Sequence, residues 1–223
     1  MCGLSNKFKK NVKKSDHFDK VLIRGNKMPV RKVDRRVRKT KKQLREALTT
    51  LLKEKPIQKI RVREIADLID INRGTFYQYY RDVYDMLSKI ENELFEQFNQ
   101  VMEETGIQNN RDGKTDIKPL FVKIISLLKE NADLAIALMG PNGDPVFVER
   151  VKGLVRKRCM DDWMGRYQTP ESLQYFEYYY AFVVSGCIGL FQRWLENGAD
   201  EAPERLAVLF EQIILKGVQI FEE

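Results

Sequence analysis

The stretch IADLIDINRGTFYQYYRDVYD, from Ile65 to Asp85, holds a short apolar-faced helix, a tight turn and a second short helix crowded with Thr, Gln and Tyr. In the first helix Ile65, Ala66, Leu68 and Ile69 are expected to pack inward, with Ala66 small enough to let another helix cross closely. Asp70-Ile71-Asn72 makes the turn. Asp and Asn tolerate a left-handed backbone better than other non-glycine residues, and Asn72 is placed to cap the next helix by accepting from the backbone N–H of Gly74 or Thr75. Phe76 and Tyr80, four apart, face the core of the second helix. Arg73, Thr75, Tyr77, Gln78 and Tyr79 remain outward, a set of donors and amphipathic rings suited to phosphates and base edges in a DNA groove.

These residues carry a family resemblance. Ile65-Ala66, Ile71-Asn72, Gly74-Thr75-Phe76-Tyr77 and Tyr79-Tyr80-Arg81-Asp82 resemble the DNA-binding domain of TetR/AcrR-type transcriptional regulators, over about Arg36 to Met86. Beyond that segment the likeness is architectural. Three positions depart from the family pattern: Arg61 stands where a Thr normally caps the second helix, Asp70 replaces the turn glycine, and Val83 replaces a common phosphate-binding Lys. The resemblance implies an all-α protein: an N-terminal helix-turn-helix domain followed by a larger helical domain for ligand binding and dimerisation.

Charge points the same way. Residues 1 to 81 hold 24 Lys and Arg against 8 Asp and Glu, whereas residues 82 to 223 hold 15 against 24, so a net +7 hides a basic half and an acidic half. A solvated basic tail is the bland reading of such a run. Beside a helix-turn-helix a polyanion partner is the better one, because each neutralised phosphate releases counterions.

Other function classes lack machinery in this sequence. Cys2, Cys159 and Cys187 are odd in number and scattered, which argues for a reducing compartment and against a disulfide framework or zinc site. The single histidine, His17, leaves no Ser-His pair and no multi-histidine metal site, so neither an enzyme, a metal nor a cofactor is expected. The longest apolar stretch, Tyr178 to Phe191, is too short for a membrane span, and the basic start has no hydrophobic segment behind it. No membrane partner is expected, and the location implied is cytoplasmic.

Working outward, residues 1–34 read as a flexible basic arm, 35–82 as the DNA-binding domain and 83–223 as the ligand and dimerisation domain. Met28 is expected to be an ordinary start for such a chain, with residues 1–27 dispensable. A helix is predicted from Arg35 to Glu54, with Leu44, Ala47, Leu48, Leu51 and Leu52 on one face and Pro56 beyond its end. Asp82, with Asp85 three positions on, is predicted to start another helix running to about Thr105. QNNRDGKTD then marks a loop, and helices follow at about 117–130, 133–139, 145–167, 171–197 and 203–221. No segment alternates as a strand does.

The last two helices are too apolar for lone surface helices. About half of their apolar residues fill the monomer core; the rest are expected to pair with their copies in a homodimer, with Ser185, Gly186 and Gly189 allowing close approach. The central helices supply Phe98, Met102, Phe121, Met139, Phe147, Trp163, Tyr167, Phe176 and Tyr179. Each is core packing on the simplest reading. The resemblance implies that some line an apolar cavity for a small-molecule effector. Arg150, Arg156 and Arg158 either orient an acidic ligand or form a solvated face.

The function expected is that of a ligand-responsive regulator, a repressor, whose homodimer binds a palindromic double-stranded DNA operator. Thr75, Tyr77 and Gln78 are assigned to base edges. Arg61, Arg63, Arg73, Tyr79 and Arg81 are assigned to phosphates, with the helix N-terminus at Asn72 adding a backbone donor. The alternative is a constitutive nucleic-acid-binding module whose helical domain recruits a protein partner.

Overall fold

The computed structural model describes residues 35–105, 108–109, 115–166 and 170–218, with the side chains of 108–109, 115, 161–166, 170–174 and 216–218 outside the description. The arm up to residue 34, including Met28, therefore lies outside the described residues. The chain divides into residues 1–38 and residues 39–223. Of the first unit only Arg35 to Arg38 are described, as the opening turn of α1. Everything below concerns the second.

The described residues form nine α-helices in chain order: α1 Arg35–Glu54, α2 Val62–Leu68, α3 Arg73–Tyr77, α4 Val83–Thr105, α5 Lys118–Glu130, α6 Ala132–Met139, α7 Pro145–Arg166, α8 Pro170–Glu196 and α9 Pro203–Val218. A short 3-10 turn, Ile57–Lys59, follows Pro56. Pro145, Pro170 and Pro203 each open a helix, where a missing N–H costs nothing. α8 is followed by Gly198 at φ 86° and Ala199 at φ 55°. Among the described residues one pair of strands departs from the helical pattern, and it is small: Gln108–Asn109 (β1) pairs antiparallel with Thr115–Asp116 (β2), Gln108 opposite Asp116. Two-residue strands are too short to show the alternation by which a sequence announces a sheet.

Two apolar cores meet along α4. The first gathers Leu44, Leu48 and Leu52 of α1, Ile65 of α2, Phe76 of α3, Met86 and Ile90 of α4, Leu138 of α6 and Phe147 of α7. The second gathers Met102, Ile125, Phe191, Trp194 and Phe210, where the Phe210 ring stacks on Phe121 at 4.8 Å and on Phe191 at 4.6 Å. Phe98 and Val101 of α4 pack against both. Polar contacts fix α1 on the α5–α6 corner: the Arg45 guanidinium donates to Asn131 Oδ1, and Lys53 pairs with Asp133.

One polar group interrupts the first core. Glu91 of α4 is only 5% exposed, and its Oε1 has no hydrogen-bond partner. Burial pushes its carboxyl up to about 7; the Asp144 charge adds to the effect and Arg150 opposes it. The folded chain therefore holds a proton there that the unfolded chain releases near its ordinary value of 4.5. Stability from this group is complete below that value and is lost as pH rises to about 7. Urea unfolding from pH 5 to pH 8 should show Glu91→Gln gaining on the wild type as pH rises, by up to about 3 kcal/mol; a stability difference independent of pH would contradict this account.

Candidate nucleic-acid interface

α2 opens at Arg61, whose extended backbone (φ −118°, ψ 147°) is that of an N-cap. A guanidinium has no acceptor, so it cannot cap the first turn as a Thr hydroxyl would. Glu64 reaches back instead: its Oε2 accepts the Arg61 N–H at 2.9 Å, and Lys55 pairs with the same carboxylate. These contacts hold the Glu64 carboxyl below its ordinary value, the Lys55 bond being the larger cause. Ile65 and Ala66 are fully buried, as the spacing requires. Leu68, expected to pack inward, is 51% exposed, because α2 ends there and its inward stripe is complete at Ile65 and Ile69.

The turn follows the chemistry of its residues. Asp70 has φ 53°, in the left-handed region that the usual glycine would occupy at no cost. The Ile71 N–H closes the turn on the Ala66 carbonyl at 3.0 Å. Asn72 caps α3 through Oδ1, which accepts the Gly74 N–H at 2.7 Å. α3 has only five residues, far fewer than persist alone in water, so the cap and the wholly buried Phe76 ring make it a helix.

With Phe76 inward, Arg73, Tyr77 and Gln78 stand exposed, Tyr77 at 57%. Thr75 and Tyr79 are half-buried, and the Tyr79 ring leans on the first core and on Tyr80 at 6.5 Å. Arg61 and Arg63 are exposed on α2, where Arg63 Nε donates to Asp67 Oδ2 at 3.4 Å. Arg81 is exposed just before α4. Val83, by contrast, is buried in the first core and offers nothing to a phosphate. Tyr84 was not singled out from the sequence, yet it stands 56% exposed on the first turn of α4. Its signal was present: Val83, Met86, Leu87 and Ile90 take the inward face and leave Tyr84 outward.

The residues proposed for an effector cavity are distributed. Met102, Phe121 and Met139 belong with the second core, Phe98 bridges both cores, and Phe147 lies in the first. Phe176 stacks on Tyr180 at 5.9 Å, and the Tyr179 hydroxyl donates to the Ile214 carbonyl at 3.0 Å. The Trp163 side chain and Tyr167 lie outside the described residues. A cleft of about 130 Å³ opens between the end of α1, the α6–α7 loop and α8, and among those residues Met139 alone borders it. The three arginines of α7 whose side chains are described each have a partner: Arg150 lies over the Phe95 ring at 4.6 Å, Arg156 pairs with Glu177, and Arg158 donates to Glu103 at 3.2 Å.

Residues 115–216 match a TetR family model described as a transcriptional regulator C-terminal region. Over that span the chain is similar to the TetR family of transcriptional regulators. The family is not enzymatic. Over 48 residues the chain is 40% identical to an uncharacterized HTH-type transcriptional regulator, YxbF, of Bacillus subtilis (strain 168), a match covering 22% of the chain and 13% of that protein's length. Solved structures share the fold at low identity. The fatty acid degradation regulator FadR from Bacillus halodurans superposes at TM-score 0.57 with 14% identity, covering 80% of this chain and 95% of that one. A TetR regulator from Streptococcus agalactiae 2603V gives 0.52 with 22% identity, over 81% and 96%. FadR from Bacillus subtilis, solved with stearoyl-CoA, gives 0.50 with 17% identity, over 79% and 98%.

The Asp70 backbone yields a direct check. Asp70→Val should lower unfolding free energy by about 1–2 kcal/mol, since a β-branched residue resists φ 53°, while Asp70→Gly should be tolerated. Thermal melts of the two variants would decide, and equal melting points would refute the strain.

Proposed function

We propose that this chain is a TetR-family repressor whose homodimer binds a two-fold, palindromic operator and releases it when a small molecule binds the larger helical part. The observation that carries this reading is the exposed row Arg73, Tyr77 and Gln78, on a helix capped by Asn72 and anchored by Phe76, within the basic half of the chain. Residues 35–82 read DNA and residues 83–223 dimerise and take the effector. Thr75, Tyr77 and Gln78 meet base edges, while Arg61, Arg63, Arg73, Tyr79 and Arg81 hold phosphates. Two copies of α3 then sit in successive major grooves about 34 to 36 Å apart, or a multiple of that. The protein acts in the cytoplasm, where its operator is.

The dimer reading is supported by an apolar face that the other described residues leave uncovered. Tyr178 and Phe182 of α8 are 74% and 72% exposed, and Leu209 and Ile213 of α9 are 43% and 45% exposed. A side chain added at Gly186 or Gly189 would meet nothing within 4 Å, so α8 offers open backbone for close approach. Phe182→Glu should convert a dimer to a monomer at micromolar concentration in sedimentation runs. A wild-type monomer at that concentration would sink this assembly.

For the effector, the apolar second core around Phe121, Phe191 and Phe210 supports an apolar molecule; the Bacillus subtilis FadR, solved in complex with stearoyl-CoA, shares the fold. Reading of DNA is tested first. Gln78→Ala should change which bases are preferred in a selected site, by about 1–3 kcal/mol at the affected position, whereas Arg63→Ala should weaken all duplexes alike. Equal effects of both variants on selected and random duplexes would contradict the assignment.

A further inference from the structure

Asp85 lies at the joint between α3 and α4, and its carboxylate does more than cap a helix. The cap itself is Asp82, whose Oδ1 accepts the Asp85 N–H at 2.8 Å. Asp85 Oδ2 accepts from the Arg81 backbone N–H at 3.0 Å and from Lys89 Nζ at 2.8 Å. Its Oδ1 accepts from Arg81 Nη2 at 3.1 Å and from Nε at 3.3 Å. Four donors saturate one carboxylate. The Asp85 side chain is 9% exposed, while that of Arg81 is 85% exposed. Lys89 is held in turn by the Tyr79 carbonyl at 3.3 Å and lies over the Tyr80 ring at 5.4 Å. Bonding to Lys89, then to the Arg81 N–H, lowers the Asp85 carboxyl to about 2, so it stays ionised at any working pH.

We propose that Asp85 is a positioning residue for DNA binding: it clamps the Nε–Nη2 edge of Arg81 so that the opposite edge of the guanidinium is presented to a duplex phosphate. The sequence gives this orientation weight. Between Arg73 and Lys89, Arg81 is the only Lys or Arg, and Val83, where the family commonly has a lysine, is buried. A single exposed arginine serves the segment after the reading helix, and a free one would have to be ordered on every encounter. The role rests on the DNA reading above.

Charge alone predicts the opposite effect. Asp85→Asn removes an anion beside the DNA face, which by electrostatics should raise affinity for any duplex. Positioning predicts a loss. The test uses full-length protein and the duplex that the wild type enriches from a randomised library, with binding measured at a fixed, near-physiological salt concentration and folding checked by circular dichroism. Asp85→Asn should weaken binding about fivefold or more, and Arg81→Ala should cost little further in that background, because the two act through one contact. Arg81→Lys alters only a solvent-facing side chain and so keeps the test open should Asp85→Asn fold poorly. It retains the charge without the planar fork, and should bind nearly as weakly as Arg81→Ala. Wild-type affinity in Arg81→Lys, or tighter binding by a folded Asp85→Asn, would overturn the positioning role while leaving the DNA reading intact. Failure of the wild type to enrich any duplex would remove the DNA reading and this role with it.

Discussion

Burial of the Phe76 ring is the constraint on which the rest depends. A helix of five residues gains too few internal hydrogen bonds to repay its own ordering, so α3 exists because one face of it is held by other elements. Phe76 is wholly buried and touches Tyr77 edge-on at 5.6 Å and Tyr80 at 5.7 Å. With one side fixed, the helix has no rotational freedom about its axis. The outward direction of Arg73, Tyr77 and Gln78 is therefore set by packing in the core.

The same core fixes what α3 moves with. Phe76 shares its cluster with Met86 and Ile90 of α4, Leu138 of α6 and Phe147 of α7, so α3 has no separate core of its own. α4 runs on from that cluster into the second, with Phe98 and Val101 touching both. A tilt of α4 must carry the α3 joint with it, because dense cores shift between discrete packings and do not stretch. Glu91 is a polar interruption in the apolar face of α4. It is a buried carboxyl without a bond on one oxygen, placed where a leucine would simply pack.

Most of the helices were legible in the sequence, because each had a physical stop: Pro56 beyond α1, prolines opening α7, α8 and α9, and Gly198 beyond α8. The turn was legible because Asp70 and Asn72 are there for conformational and capping reasons that their side chains state. Leu68 was misread since periodicity does not reveal that a helix ends at that very residue. The β1–β2 pair was invisible at two residues per strand. Partnerships between distant charges were not legible either. Arg156 with Glu177 and Arg158 with Glu103 depend on how helices cross, and no local pattern encodes that.

Those partnerships would also limit a ligand bound among these helices. Arg150, Arg156 and Arg158 of α7 are engaged by carboxylates or by the Phe95 ring, so an acidic ligand would gain from Arg156 or Arg158 only by displacing Glu177 or Glu103. An apolar ligand faces a parallel condition. Phe121, Phe191 and Phe210 already stack on one another, and their mutual contacts must be exchanged for contacts with the ligand. Either exchange would shift the helices only if it were more complete in a second arrangement of them, since a ligand shifts an equilibrium by its difference in affinity for the two states and by no more. α4 meets the second core at Met102 and the first at Met86, at opposite ends of one rigid helix. A rearrangement around Phe121 and Phe210 thus reaches Phe76 through α4.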